Sequence, residues 1–275
     1  MRHQAPVRPV STLLHTRTIA MNDRSGLTTS AESGILTITL DRQERLNAVN
    51  AEMAAALPRA LHDAALDDSV RVVVITGAGR GFCAGLDLKE PAGIPPASRA
   101  ERLDPYMWVG RWAKAVAECD KPVLAAVNGV AAGAGLALVL ACDLRILAAS
   151  ARLAPGYMRI GLSPDAGMSW FLPRLVGMGR AMELLLTARE LDATEAVAMG
   201  LASGVVPDEQ LPSHVKELAA RLAAASPTAL ALTKRALLQS MNSTLEQQLM
   251  REVEFVRVCA ASEEFGQAVR EFLRR

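Results

Sequence analysis

VLAAVNGVAAGAGLALVLAC, Val123 to Cys142, is the longest run of the chain without a charged residue. A bilayer core asks for roughly 20 apolar residues, so its length alone permits a membrane span. Its composition points elsewhere. Asn128-Gly129 is a turn signal, and Gly133 and Gly135 follow closely. Val123 to Val127 suits a buried strand, and Leu136 to Cys142 suits the start of a buried helix. The run therefore reads as strand, turn, glycine loop and helix inside a globular protein.

The whole chain supports that reading. Its 275 residues are 51% hydrophobic and 21% charged, enough for a large buried core. A formal net charge of +1 argues against nucleic acid or a membrane surface as partner. Cys83, Cys119, Cys142 and Cys259 form no CxxC pair, and His3, His15, His62 and His214 are scattered. Reduced, packed thiols and the absence of a protein-held metal follow. The first 30 residues are basic and interrupted by Pro6 and Pro9, with no apolar stretch like that of a signal peptide. They read as a flexible segment (1–30), ordered structure as starting near Gly34, and the location as the cytoplasm.

Outward from the opening run, strands alternate with helices. Ile35 to Asp41 alternates like a half-buried strand, and Asn50 can cap a helix through Met53, Leu57, Ala60 and Leu61 with Pro58 inside. Val70 to Gly77 is a β-branched buried strand. It opens into a glycine-rich loop, Gly77 to Glu90, at a strand's carboxyl end, where open sheets place ligands. That loop lacks both the Walker ending and the dinucleotide fingerprint. Pro91 to Pro105 reads as a mobile connector, and Tyr106 to Cys119 as a helix whose Trp108 and Trp112 serve packing. Ser163 and Pro164 suit the start of a helix carrying Asp165 in its first turn. Thr194 suits another cap. Beyond Arg180 helices dominate. The predicted architecture is a mixed α/β core (31–220) and a helical C-terminal region (221–275).

Two glycine loops, in FCAGLDLKE and in NGVAAGAGLALVLACDLRI, together resemble the crotonase superfamily, the enoyl-CoA hydratase/isomerase family. The resemblance runs from about Gly34 to the C-terminus. IGLSPDAGMSWFLPRLVG looks most like the branch of phenylacetate-pathway ring-epoxide and enoyl-CoA isomerases. It implies a crotonase-like spiral of ββα units, a homo-trimer or a hexamer built as a dimer of trimers, and an acyl-CoA substrate. No cofactor is implied beyond the coenzyme A of that substrate. It also implies an oxyanion hole from the backbone N–H groups of Leu86 and Ala134. The chemistry is direct: removing a proton beside a thioester puts charge on the carbonyl oxygen, and preorganised donors stabilise it there.

One departure is informative. Hydratases of the family use two glutamates, and their places fall on Ala137 and Tyr157. Neither is a carboxylate, so two-carboxylate hydration is disfavoured. Asp165 matches the aspartate of family isomerases, and one carboxylate suffices to take a proton from one carbon and return it to another. The plain alternative is a first-turn helix aspartate. Leu136, Met168 and Trp170 are expected to desolvate it. Tyr157 can orient the thioester or line the pocket. Arg42, Arg45, Ala84, Asp87, Lys89 and Lys234 are the candidates to contact coenzyme A, with solvated charges as the alternative. The rival functions are a hydratase with an atypical site and an inactive acyl-CoA binder.

Overall fold

The computed structural model describes residues 25–90 and 98–274. The N-terminal segment up to residue 24 and the connector over 91–97 lie outside them. Order begins earlier than Gly34. β1 (Leu27–Glu32) and β2 (Ile35–Leu40) form an antiparallel hairpin through Ser33 and Gly34. Both turn residues have positive φ, 53° and 80°, the mirror-image turn that suits strand twist. β1 is easily missed because its inward positions are Leu27 and Thr29, a weakly apolar pair.

The chain then climbs in repeating units. α1 (Ala51–Leu66) is capped by Asn50, whose side chain accepts from the Met53 N–H. β3 (Val72–Gly77) leads into β4 (Gly81–Cys83), α2 (Arg99–Leu103) and α3 (Met107–Glu118). β5 (Val123–Val127), β6 (Val130–Ala132) and α4 (Ala134–Ala141) repeat the pattern. β7 (Leu144–Ala148), β8 (Arg152–Ala154) and α5 (Met168–Val176) repeat it again. Then come α6 (Met178–Thr187), β9 (Leu191–Asp192), α7 (Ala193–Ala198) and β10 (Gly204–Val206). The helices α8 (Leu211–Ala223), α9 (Pro227–Ser240), α10 (Leu245–Ala260) and α11 (Glu263–Phe272) complete the described chain.

After the β1–β2 hairpin, consecutive strands pair off between two sheets, β3 with β4, β5 with β6 and β7 with β8. One runs β1-β2-β3-β5-β7-β10 and the other β4-β6-β8-β9. Beyond the β1–β2 hairpin, the larger sheet is parallel, as are β4, β6 and β8. This is a spiral of ββα units. Val123 to Cys142 supplies one complete unit, with an eight-residue helix buried on every side. Among the described residues no helix is long and apolar enough to cross a membrane.

Pro58 lies inside α1 without ending it. Proline has no N–H, so the carbonyl four residues earlier, that of Ala54, loses its helical donor. The buried indole of Trp112 donates its Nε1–H to that carbonyl at 3.0 Å. Proline and tryptophan thus form one device joining α1 to α3.

Candidate active site

The carboxyl ends of β4 and β6, neighbours in the smaller sheet, open onto a cavity of about 440 Å³. Ala84 to Leu86 and Leu88 form one wall, Ala132 to Ala134 a second, Met107 to Val109 a third. The segment from Gly156 to Asp165 closes the fourth. The first two walls meet so closely that only glycine fits at position 85. Its φ is +89°, and a Cβ there would lie 2.7 Å from the Ala132 carbonyl oxygen and 3.5 Å from the Ala134 nitrogen.

Leu86 and Ala134 thus come from neighbouring loops and line one space. Among the described residues neither amide has a hydrogen-bond acceptor. For Ala134 the reason is its place at the first turn of α4, where N–H groups have no helical partner. For Leu86 it is a local parallel bridge. Val49 donates to Gly85 and accepts from Asp87, which skips the Leu86 N–H between them.

Asn47, two residues before that bridge, ties its loop to β4, a role that local pattern does not announce. It is fully buried, in left-handed backbone with φ 58°. Its Nδ2 donates to the carbonyls of Ala78, Gly81 and Phe82, and its Oδ1 accepts from the Arg42 N–H. The available signal was an asparagine in an otherwise charged loop, since asparagine tolerates left-handed backbone better than most residues.

Asp165 faces the cavity, but not from a helix. α5 begins at Met168 behind Gly167, so Ser163 caps nothing and Asp165 sits in the preceding turn. The predicted first-turn setting is therefore corrected: three glycines and alanines of positive φ, Gly161, Ala166 and Gly167, break the helix there. The Tyr157 hydroxyl donates to Asp165 Oδ1 at 2.7 Å. Asp165 is reached by solvent through the open cavity, yet the walls crowd its carboxyl. This desolvation pushes its pKa up, and the Tyr157 hydrogen bond pulls the other way. Burial, then the neighbouring carboxylate, pushes the Tyr157 phenol far up, so it stays a donor.

The other predicted neighbours do not line this space. Leu136, Ala137 and Met168 are buried in the core behind it, and Trp170 stacks under Arg174 on a separate groove. Apolar contact with the cavity comes from Leu88, Trp108, Ile160 and Leu162 instead. Trp108 does more than pack. It meets Trp112 edge-on at 5.3 Å and presents itself to the cavity.

The basic candidates divide. Lys234 is withdrawn from any ligand: its ammonium donates to Asp143 at 2.7 Å and to the carbonyls of Val116 and Lys121, pinning α9 to the core. Arg42 donates to Ala48, Asp87 and Glu90. Asp87 is buried, which pushes its pKa up. The backbone N–H of Lys89 and the Arg42 guanidinium outweigh that and hold the carboxyl below its usual range. Both therefore stabilise the loop. Arg45 is half-buried and Lys89 exposed, while Ala84 lies on the cavity wall. Cys83 is buried and its thiol is pushed up to about 12, so it stays protonated and packed.

A profile of the enoyl-CoA hydratase/isomerase family matches residues 30–275. The chain belongs to the enoyl-CoA hydratase/isomerase family. It is 40% identical over 248 residues to the 1,2-epoxyphenylacetyl-CoA isomerase of Escherichia coli K12, covering 89% of this chain and 94% of that one. It is 42% identical over 246 residues to a Rhodobacter capsulatus protein named "probable enoyl-CoA hydratase", covering 88% and 92%. The crystal structure of an enoyl-CoA hydratase from Bacillus anthracis superposes with a TM-score of 0.83 at 32% identity, covering 90% of this chain and 96% of that one. The spiral of ββα units is the fold of this family, and the protein is one of its acyl-CoA enzymes.

Proposed function

We propose that the protein is an acyl-CoA isomerase that shifts a double bond by proton transfer through Asp165. One observation carries this reading: among the described residues, Asp165 is the only carboxylate lining the cavity. Activating water and protonating carbon with separate carboxylates has no second group here. Moving one proton between two carbons needs only one.

The thioester oxygen of the substrate sits against the Leu86 and Ala134 amides. Asp165 takes a proton from the carbon beside the thioester or from the allylic position. The C–H electrons form the dienolate, whose oxygen is held by the two N–H groups. The protonated carboxyl then returns its proton to the alternate carbon, and the double bond has moved with no change in mass. A carboxylate made more basic by desolvation is better matched to this task than an ordinary one. No cofactor beyond the substrate's coenzyme A enters the reaction. Ala84, on the cavity wall, with Arg45 and Lys89 outside it, are taken as the groups that meet that coenzyme A.

The same reading takes the assembly to be a homo-oligomer, a trimer or a hexamer of two trimers. In its support, α9, α10 and α11 bury no residue within the chain, while Leu249, Val253 and Phe272 stand 51%, 51% and 78% exposed.

Mass spectrometry and NMR of products from 3-enoyl, 2-enoyl and aromatic-ring acyl-CoA thioesters test the function. The expected result is a same-mass double-bond shift that Asp165→Ala reduces by about 10²–10⁴-fold. A gain of water would establish hydration instead. Tight binding without turnover or carbon-bound proton exchange would leave a binding protein.

A further inference from the structure

We propose that Tyr157 is a positioning residue for Asp165: its hydroxyl, donating to Oδ1 at 2.7 Å, fixes the carboxyl's orientation and leaves Oδ2 to carry the proton. The inference rests on the isomerase reading of Asp165.

The geometry supports it from three sides. The tyrosine ring is itself held, only 6% exposed and part of the main apolar core. The carboxyl sits in a turn between Gly161 and Gly167, outside any helix. A hydrogen bond from a fixed ring orients it. No other side chain donates to Asp165 among the described residues.

The surroundings leave this contact as the acid's one side-chain hydrogen bond among the described residues. Arg159 is the other ionisable side chain on the cavity wall, and its guanidinium is engaged with Glu190 at 2.8 Å. The loops over 84–88 and 132–134 and the start of α3 contribute only uncharged side chains to that wall, apart from Asp87 behind it, which pairs with Arg42. The donor favours the ionised carboxyl, so it holds Asp165 ready as a base while the walls raise its basicity. Between proton abstraction and return, the phenol keeps its own proton. It only strengthens or relaxes its donation as the carboxyl gains and loses charge.

The position makes chemical sense of the sequence. By the resemblance stated above, Tyr157 falls where family hydratases carry a glutamate. A second carboxylate beside Asp165 would repel its charge, whereas a phenol donates to it and cannot itself act as a competing base.

Tyr157→Phe keeps the ring and removes the donor. Solvent-deuterium exchange into a 3-enoyl-CoA thioester would be followed against pH for wild type, Tyr157→Phe and Asp165→Asn. The expected result is a roughly tenfold fall in kcat, the worth of about 1.4 kcal/mol, with KM little changed and the acid limb moved to higher pH. An acid limb that stays in place overturns the proposal.

A second measurement does not depend on turnover. The chain has two tyrosines, Tyr106 and Tyr157, so 3-fluorotyrosine labels both and Tyr106→Phe assigns them. The fluorine resonance of Tyr157 is expected to titrate with Asp165 and to stop doing so in Asp165→Asn. A resonance indifferent to Asp165 overturns the positioning role. Exchange that survives in Asp165→Asn would instead overturn the isomerase reading, and the fluorine titration would still decide the contact.

Discussion

At the scale of single residues, the site depends on side chains that are small or absent. Gly85 lets the loop after β4 approach the start of α4, and a methyl group there meets the Ala132 carbonyl. Gly85→Ala is expected to displace the Leu86 amide and lower kcat about 10²-fold, with a smaller effect on KM. Steady-state kinetics beside a thermal melt separate this from misfolding. Asp165 carries a different signature. Crowding by the cavity walls raises its pKa on folding, so the folded chain keeps its proton to higher pH than the unfolded chain does. That proton uptake stabilises the fold below the unfolded pKa, and the benefit is lost as pH rises through the folded pKa. Asp165→Asn, which never ionises, is therefore expected to gain stability over wild type at neutral pH and to show no gain in acid. Denaturant unfolding at several pH values checks the sign. Under the proposed mechanism activity moves oppositely, because only the ionised carboxyl accepts a proton, so the acid limb of the wild-type rate is expected above the usual aspartate range.

At the scale of elements, the joint between α1 and α3 offers a closed test. Trp112 serves the Ala54 carbonyl that Pro58 leaves without a donor. Trp112→Phe is expected to cost about 3 kcal/mol, combining lost packing with an unsatisfied buried carbonyl. Pro58→Ala restores a helical N–H for the same carbonyl. The double variant is expected to be less damaged than the sum of the two, with a coupling of about 1 kcal/mol in denaturant unfolding. Strict additivity would show that the indole hydrogen bond contributes nothing. The second joint is Lys234 on α9, whose ion pair with Asp143 and two carbonyl contacts hold the helical C-terminal region to β5 and α3. This explains a lysine that the sequence pattern offered to a ligand: it is spent on architecture. Asp192 likewise, not Thr194, caps α7, its carboxylate accepting from the Glu195 N–H.

At the scale of the whole molecule, the spiral forms the body and α10 and α11 extend from it. α10 presents Leu249, Val253 and Val256 at helical spacing on one exposed face. In the proposed homo-oligomer this face belongs at the contact between chains. Replacing Leu249 and Val253 together by glutamate is expected to yield monomers in analytical ultracentrifugation while circular dichroism retains the helices. An unchanged assembly would remove α10 from the interface.

Much of this molecule was legible in the residues alone. The period of Ile35 to Asp41, the β-branched run Val70 to Gly77 and the uncharged run Val123 to Cys142 each announce their elements, because burial dictates their composition. The glycines around 85 and 133 mark where backbones must approach. Three-residue strands such as β4 and β6 escaped notice, since so short a segment has no period to read and exists only through pairing with a neighbour. Side-chain partnership escaped as well. Asn47, Arg42 and Lys234 are polar residues whose use depends on carbonyls and carboxylates up to 118 positions away. The order of apolar and polar residues therefore determined the longer elements and the family. Tertiary structure alone decided that Asp165 meets Tyr157, that Trp108 rather than Trp170 walls the cavity, and that Lys234 is committed to the core. The reason is physical: local pattern sets which groups seek burial, and only the closed fold sets which groups are left facing one another.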